Sequence, residues 1–223
     1  MNASSIATQA EPQLRISEIF ISLQGEADAA GWPTVFIRLT GCPLRCTYCD
    51  TSYAFSGGTT RPFSEILHTV AEFGVKHVCV TGGEPLAQKG CLELLARLCD
   101  LGYLVSLETS GALDVALVDK RVVKVVDIKT PASGEAARNR YENIDYLLPT
   151  DQVKLVIASR DDYDWAKAVV ARYKLTERCT VLFSPVQGQL APRQLADWIV
   201  EERLPVRFQI QLHKYLWGDE PGR

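Results

Sequence analysis

The sequence lacks the features that would place it in a membrane, outside the cell or on nucleic acid. None of its 223 residues belongs to an apolar run long enough to span a bilayer, and residues 1–13 lack the basic start and apolar stretch of a secretory signal. Basic residues number 24 and acidic residues 27, so no basic excess points to nucleic acid as a direct partner. We therefore expect a cytoplasmic protein with no membrane and no nucleic acid among its direct partners.

The sequence also lacks the even number of cysteines that a fully paired disulfide framework within one chain requires. Three of its seven cysteines crowd into residues 42–49, and the others, Cys79, Cys91, Cys99 and Cys179, lie in apolar surroundings. This distribution suits a reducing compartment and a metal or redox role for the crowded three. We expect the other four to be small, buried hydrophobic residues.

Short apolar strands alternate with amphipathic helices from Val35 onward, which favours a parallel sheet with right-handed crossovers. The chain is too short for a closed eight-unit barrel, which needs about 250 residues. We predict an α/β fold, a partial and open β/α barrel of about six units, with an open doubly wound sheet as the alternative. One domain, residues 14–223, is expected to follow a loose N-terminal tail, residues 1–13.

The hydrophobic pattern locates the individual elements along the chain. The predicted strands are 15–23, 35–40, 77–81, 103–109, 122–127, 152–157, 180–183 and 206–212, and the predicted helices are 64–73, 91–101, 114–120, 141–148, 161–173 with Ser159 as its cap, and 192–202. Residues with chemical functions follow several of these strands directly. Because active sites of β/α barrels lie at the carboxyl ends of their strands, we expect these residues to meet in one site.

Cys42, Cys46 and Cys49 follow a C-x3-C-x2-C spacing on one loop. Three thiolates on a short loop can hold three corners of a 4Fe–4S cube, and the missing fourth cysteine leaves one iron open to a small molecule. Two alternatives remain open at this point. A zinc site would need a fourth ligand, and Cys46 with Cys49 has the spacing of a thiol-exchange pair.

The cysteine spacing, with Tyr48 before the last cysteine, resembles that of the radical S-adenosylmethionine enzymes, and Gly82-Gly83-Glu84-Pro85 resembles their GGEP motif. The resemblance implies a 4Fe–4S cluster whose open iron binds S-adenosylmethionine and whose electron cleaves it to a 5′-deoxyadenosyl radical. It also implies a set of cofactor contacts: Tyr48, Cys49, Asp50, Gly83, Ser110, Asp127, Ile128, Lys129, Ser184, Pro185, Val186 and Gln187. Asp127 and Lys129 could equally form a structural ion pair at the rim of the barrel.

Motifs over nearly the whole chain resemble, more narrowly, the family of 7-carboxy-7-deazaguanine synthases. These motifs are Leu23-Gln24-Gly25-Glu26, Phe36-Ile37-Arg38, Cys49-Asp50-Thr51, Glu108-Thr109-Ser110-Gly111 and Gln211-Leu212-His213-Lys214-Tyr215-Leu216. The resemblance implies a carbon–nitrogen lyase that converts 6-carboxy-5,6,7,8-tetrahydropterin into 7-carboxy-7-deazaguanine with loss of ammonia, on the route to queuosine in tRNA. The adenosyl radical would abstract a hydrogen atom, and the pterin ring would then contract.

The same resemblance implies the substrate and metal contacts. Magnesium would be bound by Thr51, and the substrate by Leu23, Gln24, Gly25, Glu26, Arg38, Thr81, Gln211 and His213. No residue is assigned as a general acid or base. A flavodoxin- or ferredoxin-type protein is implied as electron donor, and a homodimer as the assembly.

The residue chemistry is compatible with these roles. Arg38 stands inside the apolar string VFIRLT, which favours a buried and paired guanidinium over a surface ion pair, and its fork of donors suits a carboxylate. Ala27 replaces a glycine that many relatives have after the LQGE string, so that loop is expected to be set slightly differently. The alternative within the superfamily is an activase that makes a glycyl radical in a partner protein. That class is not expected to carry the LQGE and HKYL strings.

Overall fold

The computed structural model describes residues 11–218 together with 220 and 222, and its central element is one nine-stranded sheet. Neighbouring strands are parallel from β2 through β9, in the order β3-β1-β2-β4-β5-β6-β7-β8-β9, and β1 is antiparallel to both of its neighbours. The strands are β1 Gln13–Leu23, β2 Pro33–Leu39, β3 Thr59–Pro62, β4 His77–Gly82, β5 Leu104–Thr109, β6 Val123–Asp127, β7 Gln152–Ile157, β8 Thr180–Pro185 and β9 Arg207–Phe208. The sheet ends at β3 and β9 and stays open, which confirms the predicted partial barrel.

Four helices cover the outer face of the sheet and leave its inner face for the site: α1 Phe63–Glu72, α2 Cys91–Asp100, α3 Arg160–Arg172 and α4 Pro192–Glu201. A fifth helix, α5 Leu212–Trp217, carries residues that line the cavity of the site. Ile66 of α1 and Leu94 of α2 belong to one buried apolar cluster, and Ala166 of α3 and Leu195 of α4 belong to a second. Ser159 caps α3 as predicted, since its hydroxyl accepts a hydrogen bond from the Asp162 N–H at 3.2 Å. No helix in the described part of the chain has the length and apolar character needed to cross a bilayer.

Two of the predicted helices differ from the structure, so the crossovers that follow β5 and β6 carry no α-helix. The helix predicted at 114–120 is wrong, because the segment consists of turns. The Asp114 carboxylate accepts the N–H of Ala116, and the Asp119 carboxylate accepts the N–H of Arg121. Such local side-chain bonds compete with a helix for the backbone. The helix predicted at 141–148 is a short 3₁₀ helix, Tyr141–Tyr146.

The last predicted strand, 206–212, is wrong in its extent, because β9 has only two residues. Beyond Phe208 the chain leaves the sheet to contact the β1–β2 loop, residues 24–32. Ala27 N–H donates to the side chain of Gln209 at 2.9 Å, and Leu212 N–H donates to the Gly25 carbonyl at 3.0 Å. The chain then forms α5, which the sequence pattern did not predict. Strand β3 was not predicted either.

A β-bulge between Ile16 and Glu18 changes which side chains of β1 point to the inner face of the sheet. Residues two apart on a regular strand point to the same side, and an extra residue breaks that alternation. Ile16 is therefore buried in the first apolar cluster, on the side of α1 and α2, whereas Glu18 lies opposite Arg38. Phe20, beyond the bulge, stacks on Phe36 at 5.1 Å between ring centroids.

The predicted N-terminal tail, residues 1–13, lies mostly outside the described residues. Within them, Glu11 accepts a hydrogen bond from the N–H of Ser64 at 2.6 Å, and Gln13 is the first residue of β1. The division into a tail and a domain that begins at residue 14 stays a prediction.

We predict that Lys124→Met lowers the free energy of unfolding by about 3–5 kcal/mol, because it would leave a buried carboxylate without its cation. Lys124 Nζ lies 2.8 Å from Asp151 Oδ2, and the two side chains are 3% and 0% exposed. Urea denaturation followed by circular dichroism measures the loss. The matched control is Arg97→Gln, which breaks the exposed Arg97–Glu93 pair and should cost less than about 1 kcal/mol. Equal losses in the two variants would contradict the prediction.

Candidate active site

The carboxyl ends of the parallel strands enclose a cavity of about 470 Å³. Five neighbouring strands, β2 and β4 to β7, contribute polar side chains to its wall, among them Arg38, Thr81, Glu108, Asp127 and Lys154. The volume lies within the range of about 300–1,000 Å³ that is typical of small-molecule sites. The parallel sheet therefore brings residues from distant parts of the sequence to one concave surface, as predicted.

The cysteine loop, residues 41–51, forms one side of this cavity. Cys42, Cys46 and Cys49 are half-buried and all line the cavity. Thr47 attaches the loop to the segment around Ser133. Its N–H donates to the Ser133 carbonyl at 3.0 Å, and its hydroxyl donates to the Ala132 carbonyl at 2.7 Å. The three thiols are thus presented together by a fixed backbone.

The three thiols suit an iron–sulfur cube, because they lie on one loop beside the cavity and in a cube each cysteine binds a different iron. Burial raises the pKa of Cys42 and of Cys46, and nearby Lys129 opposes that rise.

Gly83 lies so close to the cysteine loop that no other residue fits. A Cβ atom on Gly83 would be 2.3 Å from the Gly41 carbonyl oxygen and 2.9 Å from Cys42 Cβ. The next residue, Glu84, donates its N–H to the same carbonyl at 2.7 Å. The two glycines of the GGEP string therefore let the loop after β4 press against the first cluster cysteine.

The carboxylate of Glu84 links the loops that follow β4 and β5. It is fully buried and accepts hydrogen bonds from the N–H groups of Leu86 at 2.9 Å and Ser110 at 2.7 Å. The hydroxyls of Thr109, at 2.9 Å, and of Ser110 also donate to it. Hydrogen bonds to neutral donors thus satisfy this buried charge and hold both loops in place.

Four charged side chains alternate in sign along the wall of the cavity. Lys129 Nζ lies 2.6 Å from Asp127 Oδ2, Lys154 Nζ lies 3.4 Å from Asp127 Oδ1, and Lys154 Nζ lies 2.5 Å from Glu26 Oε2. Burial alone would lower the pKa of Lys154, but attraction by Asp127 and Glu26 outweighs it and raises the pKa well above its usual value. Asp127 and Lys129 do form an ion pair, and both also line the cavity.

Glu108 and Gln24 form the polar part of the wall next to this series. The amide nitrogen of Gln24 donates to Glu108 Oε1 at 3.2 Å, and the amide oxygen of Gln24 accepts the Glu26 N–H at 3.2 Å. Burial raises the pKa of Glu108. Each end of the Gln24 amide keeps one further donor or acceptor position for a ligand.

Asp50 connects the cysteine loop to the C-terminal segment. Its carboxylate accepts hydrogen bonds from Thr51 Oγ1 at 2.8 Å and Gln211 Nε2 at 3.1 Å, and Lys214 Nζ lies 3.4 Å away. Burial tends to raise the pKa of Asp50, but these three partners outweigh it and hold the pKa below its usual range. Its oxygens are thus already engaged by the protein.

His213 closes the cavity on the same side. Its ring lies directly over Gly25, where a Cβ atom would come 2.1 Å from His213 Nδ1. Burial lowers the pKa of His213, which favours the neutral imidazole. The contact explains why glycine occupies the third position of the LQGE string. Ala27, two residues on, adopts a left-handed backbone with φ of 64°, where glycine would be unstrained.

The structure brings nearly all of the predicted site residues to this one cavity. Those that line it are Leu23, Gln24, Glu26, Arg38, Cys42, Cys46, Tyr48, Cys49, Asp50, Thr51, Thr81, Gly83, Ser110, Asp127, Lys129, Ser184, Pro185, Val186, Gln187, Gln211 and His213. Gly25 and Ile128 are not among the lining residues, and the Ile128 side chain packs in the second apolar cluster. Arg38 is paired, as predicted, with Glu18 at 2.7 Å, and its side chain is mostly but not fully buried. The ligand contacts themselves stay predictions.

The sequence analysis missed several lining residues, chiefly Glu108, Lys154 and Lys214. A signal existed for Lys154, which stands in the apolar string QVKLVI just as Arg38 stands in VFIRLT. A charged residue within a buried strand needs a partner, so the same reasoning would have found it. Glu108 belonged to a quoted motif but received no role.

Comparison with known proteins gives consistent results. A family model described as the Radical SAM superfamily matches residues 36–128. A curated relative from Chlorobaculum tepidum, named 7-carboxy-7-deazaguanine synthase, is 48% identical over 213 residues that cover 94% of this chain and 97% of the relative. A relative of the same name from Koribacter versatilis is 40% identical over 222 residues, covering 93% and 98%. The crystal structure of QueE from Escherichia coli matches with a TM-score of 0.72 at 24% identity, covers 90% of this chain and 95% of that chain, and shows the same fold.

Outside the cysteine loop, Cys79, Cys91 and Cys179 are buried as predicted, whereas Cys99 is only half-buried. Burial raises the pKa of Cys91 to about 12 and that of Cys179 to about 11. A raised pKa leaves less thiolate at a given pH, and the thiolate is the form that reacts with alkylating agents.

We therefore predict that iodoacetamide at pH near 8 modifies the cluster cysteines of cluster-free, folded protein well before Cys91 and Cys179. Peptide mass spectrometry at successive times measures the order of modification. In denaturant the difference should disappear, because unfolding exposes all of the thiols. Modification of Cys91 in the folded protein at the rate of Cys49 would contradict this prediction.

Proposed function

This chain belongs to the 7-carboxy-7-deazaguanine synthase family, and we propose that it converts 6-carboxy-5,6,7,8-tetrahydropterin into 7-carboxy-7-deazaguanine with loss of ammonia. It is a radical S-adenosylmethionine enzyme of 7-deazapurine biosynthesis. The observation that carries the proposal is that one cavity has three cysteine thiols on one side and the mostly buried guanidinium of Arg38 in its wall. The family's reaction needs both a cluster and a cation for the substrate carboxylate.

In this proposal Cys42, Cys46 and Cys49 hold three irons of a 4Fe–4S cluster. When bound, the cluster and S-adenosylmethionine supply the radical that abstracts a hydrogen atom from the substrate. The backbone of Gly83 and the polar groups of Ser110, Asp127 and Lys129 form the wall beside the cysteines, and Ser184, Pro185, Val186 and Gln187 continue it. These residues provide the donors and acceptors that the methionyl and ribose groups of S-adenosylmethionine require.

We propose that Tyr48 packs against the adenine of S-adenosylmethionine. Its hydroxyl lies 3.2 Å from the hydroxyl of Thr130, which fixes the ring at the edge of the cavity. Burial raises the pKa of Tyr48, so the phenol stays neutral. A neutral aromatic ring offers a stacking surface to the adenine without a charge.

The opposite part of the cavity suits the pterin. Arg38 offers a fork of donors to its carboxylate. Gln24, Glu26 and Glu108 offer donors and acceptors to the ring edge, and His213 with Gln211 closes the site. Because this wall is polar and buried, a ligand that left its groups unpaired would bind poorly.

Thr51 is the candidate magnesium ligand. Its hydroxyl proton is directed to Asp50 Oδ1 at 2.8 Å, which leaves the lone pairs of the hydroxyl oxygen for a cation. Magnesium favours such hard oxygen ligands and keeps further positions for water and substrate. We propose that Thr51 would hold a magnesium ion, which would supply positive charge near the substrate carboxylate.

The partners are proposed on the same basis. A reductant of the flavodoxin or ferredoxin type would deliver the electron to the cluster, and the protein would act as a homodimer in the cytoplasm. Size-exclusion chromatography with light scattering tests the dimer, and cluster reduction by each type of reductant tests the donor.

The function is tested by incubating the anaerobically reconstituted, reduced protein with S-adenosylmethionine, magnesium and 6-carboxytetrahydropterin. We expect 7-carboxy-7-deazaguanine and ammonia in equal amounts, detected by liquid chromatography with mass spectrometry. Cys46→Ala should lose the iron–sulfur absorbance and all product, because one corner of the cluster has no ligand. The assignment would be refuted if no carboxydeazaguanine formed from this substrate while another substrate gave 5′-deoxyadenosine. Turnover by Cys46→Ala would refute the ligand role.

Thr51→Val removes the oxygen but keeps the shape of the side chain. We expect the magnesium concentration that gives half-maximal activity to rise about tenfold or more, as loss of one ion ligand weakens binding. Iron and sulfide content should stay at the wild-type level. The matched control is Thr69→Val, which alters a threonine of α1 that does not line the cavity. An unchanged magnesium requirement in Thr51→Val would show that Thr51 is not a ligand.

A further inference from the structure

Arg38 is held more tightly than its position on a strand alone would require. Its Nε donates to Glu18 Oε1 at 2.7 Å, and the two residues lie opposite each other on β2 and β1. Its guanidinium carbon lies 5.6 Å from the ring centroid of Phe20 and 5.7 Å from that of Tyr53. The Nε edge and two aromatic contacts thus restrain the group, which is 15% exposed.

One edge of the guanidinium remains available. Within the described residues, the side-chain hydrogen bonds of Arg38 are made by Nε, and Nη1 and Nη2 bond to no protein group. Arg38 also lines the cavity. The Nη pair is therefore the edge that a ligand carboxylate can bind in the two-pronged manner typical of arginine.

Glu18 reaches this position only because of the β-bulge in β1. With regular alternation Glu18 would follow Ile16 to the outer face, and the bulge turns it inward to Arg38. A second constraint comes from the turn after the cysteine loop. Tyr53, in the 3₁₀ turn Ser52–Phe55, donates its hydroxyl to the same Glu18 oxygen at 2.8 Å. The carboxylate is thereby fixed from two sides.

We propose that Glu18, fixed by Tyr53, is a positioning residue that orients Arg38 and so makes the site selective for a pterin that carries a carboxylate. The inference rests on the proposed function, because it assumes that Arg38 receives the substrate carboxylate. Glu18 is not among the residues that line the cavity, so in this proposal it acts through Arg38. The carboxylate of Glu18 is 28% exposed, so water screens its repulsion of the ligand, while the hydrogen bond keeps its directional effect.

The test compares two unreactive aromatic probes, 6-carboxypterin and pterin, which differ only in the carboxylate. Their binding to the reconstituted holoenzyme, with S-adenosylmethionine and magnesium, is followed by pterin fluorescence. Glu18→Gln should weaken binding of 6-carboxypterin about tenfold and that of pterin less than about twofold, since a neutral partner holds Nε less firmly. Tyr53→Phe should weaken binding of 6-carboxypterin about threefold, because it removes one hydrogen bond to Glu18. Like Glu18→Gln, it should affect pterin much less.

A double-mutant cycle separates positioning from a general structural defect. In the Arg38→Ala background, Glu18→Gln should cause no further loss of 6-carboxypterin binding. The matched control is Glu65→Gln, which breaks the ion pair between Arg61 of β3 and Glu65 of α1 and should leave the binding of both probes unchanged. The proposal would be overturned if Glu18→Gln weakened binding of both probes equally. It would also be overturned if Glu18→Gln weakened 6-carboxypterin binding as much in the Arg38→Ala background as in the wild type.

The outcome is distinguishable from failure of the proposed function. If the wild-type enzyme forms no carboxydeazaguanine, the proposed function fails and this inference fails with it. If the wild type forms the product and both Glu18→Gln and Tyr53→Phe keep the wild-type preference for 6-carboxypterin, only the positioning role is wrong. Expression and iron content of both variants should match the wild type, because the aromatic contacts of Arg38 remain.

Discussion

The need to match every buried charge on the inner face of the sheet determines how this site is built. Lys154 illustrates the constraint, because its ammonium lies between the carboxylates of Asp127 and Glu26. Removing one partner of such a group leaves an uncompensated charge, which costs several kcal/mol in a protein interior. Strands β6 and β7 and the β1–β2 loop therefore take up their positions together. The cavity is polar and rigid for the same reason.

The same constraint is met by hydrogen bonds where no cation is near. Glu84 has neutral donors around its carboxylate, and these donors come from the loops that follow β4 and β5. The cysteine loop is held on three sides, by the backbone of Gly83 and Glu84, by Ala132 and Ser133 through Thr47, and by the C-terminal segment through Asp50. Positions of the thiols thus depend on contacts far from the loop in sequence. This arrangement preorganises the site before any ligand binds.

Local patterns in the sequence predicted most of the parallel strands and the residues that follow them. The periodicity of the apolar residues is a local property, and so is the spacing of the three cysteines. The failures involve distant partners. Nothing near Glu18 indicates the bulge that turns it toward Arg38, and nothing near Gln209 indicates that its side chain bonds to Ala27. The helix predicted at 114–120 failed for a local reason, since the aspartates of that segment favour turns over a helix.

The contact of the C-terminal segment with the β1–β2 loop also affects how the chain matures. Ala27 and Gln209, which share a hydrogen bond, are 182 residues apart in sequence. A ribosome adds about 5–20 residues per second, so the two partners emerge at least several seconds apart. The wall that contains Glu26 and the one that contains His213 cannot meet until the segment around His213 has been translated. The pocket is therefore completed only well after the three cysteines have left the ribosome.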